Sequence, residues 1–261
     1  MANAISTPMA AALSTTSNRK LYVLLVGITE YREDIKVGNE TAYFPKLSAC
    51  VEDVKKMEAF FNAESFYQPV IKTLVNQQAT KEAIVNEFNS HLRSAGKEDV
   101  VLLYFSGHGT QEVADPTLFP TETDGKLECL ACYYDEQEKN DFLLADKELR
   151  WLIQQVAQKN PHIVTIFDCC NSGENTKSTG LLNHSFQNVV EKRARYVFPE
   201  RQWDQFIFSK VLNRENFIIT GITKAIPEGR HIQLSACESN EPAVEIGRES
   251  IFTNVLLKIL S

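Results

Sequence analysis

The sequence predicts an α/β fold built on a mostly parallel central sheet. Three observations carry that expectation. Short apolar runs of strand length recur along the chain, longer amphipathic stretches separate them, and several runs end in Gly, Asp or Asn. Parallel strands need long crossovers, usually helical, and this order of segments supplies them.

The predicted strands are residues 21–28, 70–75, 100–105, 163–167 and 231–235, each rich in β-branched or aliphatic side chains. Helices are predicted over 47–62, 80–93, 146–159 and 251–260. Thr80 followed by Ala83 and Ile84 reads as a cap leading into an apolar stripe, and Asp146 with Leu149, Leu152 and Ile153 repeats the pattern. Two long segments, 110–141 and 172–230, show no regular period. Loops of that length inside a compact domain are usually functional or hold small elements. The chain shows no internal repeat, and its organisation reads as a flexible tail over 1–20 followed by one domain over 21–261.

Composition narrows the function classes. The chain has 261 residues, 43% hydrophobic and 23% charged, with a formal net charge of −7, which suits a globular protein with a sizeable core. No long Lys/Arg run is present, so neither nucleic acid nor an anionic membrane surface is expected as the main partner. The first twenty residues fit a signal peptide poorly, and no apolar run reaches the length of a membrane span. Cysteines at 50, 129, 132, 169, 170 and 237 lack the dense framework of a small secreted disulfide protein, so a reducing cytoplasm is the expected compartment.

Chemistry concentrates at two strand ends. The run 100–105 leads into Ser106-Gly107-His108-Gly109, a histidine between glycines where ligands and catalytic groups collect in open parallel sheets. The run 163–167 ends in Asp168-Cys169-Cys170-Asn171-Ser172-Gly173. Alone, a histidine after a strand is more often structural, and a buried cysteine is more often a small hydrophobe. Parallel neighbouring strands would bring His108 and Cys170 to one edge, where imidazole can activate a thiol for nucleophilic attack.

Tyr104-Phe105-Ser106-Gly107-His108-Gly109 and Asp168-Cys169-Cys170-Asn171-Ser172-Gly173 resemble the two catalytic signatures of caspase-like cysteine peptidases, nearest to metacaspases and bacterial orthocaspases. Residues 22–28 resemble the family's first strand and 47–54 its first helix. Leu234-Ser235-Ala236-Cys237 with Phe252-Thr253 resembles the start of its small subunit. Two departures stand out: Asn171 replaces the family's usual His, and the Gln-Ala-Cys of animal caspases is absent. The resemblance implies a three-layer α-β-α sandwich, large-subunit-like over 21–171, a processing loop over about 172–230 and a small-subunit-like part over 231–261. A sixth strand usual in the family has no counterpart before Ser261.

By the same resemblance, Cys170 is the nucleophile, His108 its acid–base partner, and the backbone N–H groups of Gly109 and Cys170 the oxyanion donors. Strand alternation agrees in placing Cys170 on the face of Asp168 and Cys169 on the other. No third orienting residue is evident. The family match also implies a specificity pocket for Arg or Lys, with Asp53 and Asp168 as its carboxylates and Ser106 and Cys50 as neighbours. Paired carboxylates would favour Arg over Lys. Without that match, Asp53 reads as a helix-start carboxylate and Asp168 as a turn former.

Several further expectations follow. Lys177, Lys192, Arg193, Arg195, Arg201, Lys210, Arg214 and Lys224 lie in the processing segment and are either sites of self-cleavage, making the intact chain a zymogen, or solvating charges. Protein or peptide substrates and a monomeric state are expected. Cys129 and Cys132 form a CxxC without a second pair, so no metal is assigned. No cofactor is required by thiol chemistry; calcium activation, known among metacaspases, has only an irregular acidic segment between Glu112 and Asp141 to support it. Trp203, Phe206 and Phe208 read as packing for a subdomain. The competing function is a caspase-fold interaction module, or the proteolytic part of a larger effector with suppressed activity.

Overall fold

A computed structural model describes residues 19–37, 39–137, 141–169, 197–236, 245–246 and 249–261. The five predicted strands form one sheet: β1 (Lys20–Gly27), β4 (Gln68–Val75), β5 (Val100–Ser106), β9 (His162–Asp168) and β11 (Ile232–Ser235), in the order β11-β9-β5-β1-β4. Every pairing in it is parallel. Strands β1, β5 and β9 are buried along almost their whole length, which explains why they read as continuous apolar runs rather than alternating ones.

Helices cover both faces of the sheet, giving the expected three-layer sandwich. On one face, α1 (Cys50–Asn62) and α6 (Ile251–Leu260) pack Val54, Met57, Phe61, Phe252 and Leu256 against Leu21, Val23, Leu25, Leu102, Tyr104 and Ile166. On the other, α2 (Lys81–Ser90) and α3 (Asp146–Ala157) bring Ile84, Phe88, Leu152 and Ile153 to Tyr22, Leu24 and Val26. The Thr80 cap forms as predicted, its side chain accepting from the Ala83 N–H. At Gly27, an added Cβ would stand 2.6 Å from Val54 Cγ2 and 2.8 Å from the Cys50 carbonyl. That close approach seats the first turns of α1 over the carboxyl end of the sheet.

The segments without a period contain structure of their own. An antiparallel hairpin, β2 (Asp34–Val37) with β3 (Glu40–Tyr43), follows β1. A second sheet joins β6 (Gly109–Val113), β7 (Lys126–Ala131), β8 (Leu143–Ala145) and β10 (Val197–Phe198) in the order β10-β6-β7-β8. Its first strand begins immediately after His108. Residues 203–225 fold as two 3-10 turns, α4 (Arg214–Thr220) and α5 (Ile222–Ala225). There Trp203, Phe206, Phe208 and Phe217 pack on one another and on Phe119, the subdomain role expected of the aromatic set.

The 197–208 stretch is tied to the rest by a buried charge cluster. Arg201 donates through Nε and Nη2 to the two Glu112 carboxylate oxygens, both at 2.7 Å, through Nη2 also to Glu148 at 3.0 Å, and through Nη1 to Asp141 at 2.9 Å. Its guanidinium lies 4.5 Å from the centre of the Phe206 ring. Lys81 joins from α2 by bonding Asp141 and Glu148. Burial opposes the Arg201 charge, but Glu148, Glu112 and Asp141 together hold its pKa above the ordinary value. Arg201 is therefore a clamp rather than a solvating charge, and at 8% exposure it is withdrawn from cleavage.

Among the described residues, no helix is long and apolar enough to cross a membrane.

Candidate active site

The two strands that end in reactive motifs are hydrogen-bonded neighbours. In their parallel register Ser106 pairs with Asp168, and on the other side Ser106 pairs with Gly27. His108 and Cys170 each follow the Ser106–Asp168 pair by two residues in sequence. Cys170 lies outside the described residues, as do Asn171, Ser172, Gly173 and Cys237. Cys169 is described, and it is buried with Phe105 and Phe167 on the α2/α3 face. Asp168 emerges on the opposite face, with α1 and α6, as strand alternation requires.

His108 is held at three points. Its Nε2 lies 2.7 Å from the Pro45 carbonyl oxygen, and because a carbonyl can only accept, Nε2 carries the proton and Nδ1 is the basic nitrogen of the neutral ring. Its backbone N–H donates to the Tyr31 hydroxyl at 2.8 Å, and its carbonyl accepts from Ala131 N–H at 3.0 Å. Tyr31 passes the interaction on by donating to the Ala131 carbonyl at 2.9 Å. Burial raises the Tyr31 pKa well above its ordinary value, so the phenol stays a donor. The Tyr31 ring sits 4.7 Å from the imidazole and the Phe44 ring 5.6 Å from it.

The loop bearing Pro45 is itself pinned, since Phe44 N–H donates to Glu33 and Leu47 N–H to Thr29, at 2.9 and 3.0 Å. Pro45 thus supplies the orienting group that the sequence did not reveal. Any residue has a carbonyl, so no residue type could have signalled it. Gly107 is also fixed by this arrangement: an added Cβ would fall 2.4 Å from the Tyr31 hydroxyl and 3.1 Å from the Phe105 ring. Gly107→Ala is expected to destabilise the protein by about 1–3 kcal/mol, because backbone and phenol must separate. Urea denaturation of the variant beside the parent measures it, and an unchanged midpoint would contradict the packing described.

On the α1/α6 face three of the four predicted pocket residues, Asp53, Asp168 and Ser106, surround Tyr104, whereas Cys50, at the start of α1, packs with Tyr31 in the core of the opposite face. Asp53, Asp168, Ser106 and Cys50 are all buried. Two residues that were not assigned to the site meet the carboxylates: the Ser250 N–H donates to Asp53 Oδ2 at 3.1 Å, and Thr253 Oγ1 donates to Asp168 Oδ2 at 2.6 Å. Tyr104 completes the set, its hydroxyl lying 2.7 Å from Thr253 Oγ1. Burial, then the charge of Asp168, raises the Tyr104 pKa well above ordinary; the Asp53 charge adds to this, and hydrogen bonds with Thr253 and, less, with Ser106 oppose it. The motif Phe252-Thr253 was a visible signal, but nothing in it indicated contact with a carboxylate 85 residues earlier.

Cys129 and Cys132 are buried, and burial pushes both thiols up, Cys132 to about 12. Neither is a reactive thiolate at neutral pH. Among the described residues, no group of three or more His, Cys, Asp and Glu side chains could hold a metal ion.

A family model for the metacaspase, peptidase C14 domain matches residues 23–178. Metacaspase-1 of Coccidioides immitis is 29% identical over 135 residues, covering 49% of this chain and 28% of the relative. Metacaspase-1A of Aspergillus niger is 27% identical over 165 residues, covering 60% of this chain and 36% of the relative. The chain thus spans about a third of the length of the curated relatives it matches. A crystal structure of a Geobacter sulfurreducens protein superposes with a TM-score of 0.58 at 22% identity, covering 92% of this chain and 81% of that one, a likeness of fold.

Proposed function

Because the chain belongs to the metacaspase, peptidase C14, family, we propose that it is a cysteine endopeptidase in which Cys170 and His108 form the catalytic dyad and cleavage follows a basic residue. One observation supports this reading above the others: the strands bearing the two motifs are parallel neighbours, with Ser106 opposite Asp168. In the proposed reaction, His108 Nδ1 takes the Cys170 proton and the thiolate sulfur bonds to the scissile carbonyl carbon. The C–N bond then breaks as His108 returns the proton to the leaving amine, giving a thioester. Water, deprotonated by His108, attacks the thioester, and the thiol leaves. The N–H groups of Gly109 and Cys170 hold the oxyanion in both halves.

Asp53 and Asp168 would receive the substrate cation, Arg ahead of Lys because a guanidinium makes two parallel charge-assisted bonds. Self-processing fits the basic residues Lys177, Lys192, Arg193 and Arg195, which lie outside the described residues, better than the clamped Arg201.

Fluorogenic peptides ending in Arg, Lys or Asp test the proposal. Turnover is expected with Arg, less with Lys and none with Asp, and Cys170→Ala should be inactive. Asp168→Asn should weaken the Arg substrate by about tenfold or more, mostly through KM, since it removes one charge from the pocket. Activity that survives Cys170→Ala, or a preference for Asp, would overturn the assignment.

A further inference from the structure

Resting on the basic-pocket reading above, we propose that Thr253, on the first turn of the C-terminal helix, is a positioning residue for specificity: its hydroxyl fixes the Asp168 carboxylate in the orientation that selects Arg over Lys. The bonds around it have one consistent direction. Thr253 has a single hydroxyl proton, and that proton goes to Asp168 Oδ2 at 2.6 Å. The 2.7 Å contact between Tyr104 and Thr253 must therefore run from the phenol to Thr253 Oγ1. Tyr104 is fully buried in the sheet and Thr253 is fully buried at the start of α6, so the relay is anchored at both ends. Its terminus is a carboxylate receiving a short bond from a neutral donor, which holds one oxygen and hence the plane of the group.

The chemistry of the two basic side chains makes that plane matter. A guanidinium presents a rigid planar fork and gains its second hydrogen bond only when the acceptor is oriented, whereas an ammonium is a compact charge that accepts acceptors from many directions. Loosening Asp168 should therefore cost Arg more than Lys. The same helix start also reaches the other acid, through the Ser250 N–H to Asp53 Oδ2 at 3.1 Å. Both pocket carboxylates are thus oriented by a segment that lies after the processing stretch in sequence, and selectivity depends on that segment being docked.

The test uses the full chain carrying Cys170→Ala, so that binding is read without turnover, and isothermal titration calorimetry with acetylated tripeptide amides ending in Arg or Lys. Thr253→Val is expected to weaken the Arg peptide by about tenfold and the Lys peptide by about threefold or less, lowering the Arg:Lys ratio. Thr253→Ser should restore the ratio. Since Thr253→Val removes one of the hydrogen-bond partners of the Tyr104 hydroxyl in the core, the double variant Thr253→Val/Tyr104→Phe replaces both members of that bond with apolar groups of similar shape and should keep the fold with the same loss of ratio. An unchanged ratio in either folded variant, or a ratio that Thr253→Ser fails to restore, overturns the role of Thr253. A parent that binds neither basic peptide in preference to one ending in Asp overturns the pocket itself, and with it this inference.

Discussion

His108→Ala is expected to lower kcat/KM on a basic peptide by about 10²–10⁴, the range that a positioned acid–base group contributes. The loss should appear in kcat, because the imidazole acts on the reacting atoms and not on the substrate's basic side chain. Stability should change far less. The backbone N–H bond to Tyr31 and the carbonyl bond from Ala131 survive the substitution, while the bond from Nε2 to Pro45 and the ring contacts with Tyr31 and Phe44 are lost. Combining His108→Ala with Cys170→Ala should reduce activity little further than Cys170→Ala alone, since the two groups act as a unit. Kinetics and urea denaturation on the same samples check both halves. A variant with parental kcat would remove His108 from the mechanism.

Arg201→Met carries the largest expected effect on stability, a loss of about 3–5 kcal/mol. Glu112 and Glu148 are fully buried and share one guanidinium. Removing it leaves Lys81 as the remaining described cation for three carboxylates, and Lys81 bonds Asp141 and Glu148 but not Glu112. Burial already raises the Glu112 pKa despite Arg201; without that partner the carboxyl would take up a proton or drag the segment open. Arg201→Lys should recover only part of the loss, because an ammonium cannot reproduce the bidentate pair. The urea midpoint is the measurement. Trypsin adds a second, since the parent should resist cutting after Arg201 while the variant opens the neighbouring bonds at Lys210 and Arg214. A variant as stable as the parent would mean that the cluster contributes nothing net.

Much of the frame could be read from the residues because its strands are buried on both faces. Residues 21–28, 100–105 and 163–167 have no charged position inside the sheet and few polar groups there, chiefly Thr165 and the tyrosine hydroxyls, so each stood out against its surroundings. Helix ends shifted slightly: α1 begins at Cys50, because 47–49 form the turn that delivers the chain beneath Gly27. The second sheet was illegible for the opposite reason. Its strand β6 carries Gln111 and Glu112 in buried positions, and their partners Glu128 and Arg201 are 17 and 89 residues away. A charge that is buried against distant charges looks, in sequence, like a charge in water. The same blindness hid Tyr31 and Thr253, whose roles depend on hydrogen bonds spanning 77 and 85 residues. Asp53 and Asp168 enter the proposed pocket by family likeness, where the residues alone favoured a helix-start carboxylate and a turn.

Strand β10 has a consequence for what scission would do. Val197 and Phe198 add alongside Gln111 and Glu112, and Phe198 lies against Phe44 at 6.0 Å and Phe142 at 5.3 Å. Phe44 in turn touches His108, so the polypeptide downstream of the cysteine buttresses the imidazole. A nick between residues 170 and 197 would sever a covalent thread while leaving both products interlocked. Such a molecule would migrate as one body through a sizing column and as two bands only in detergent.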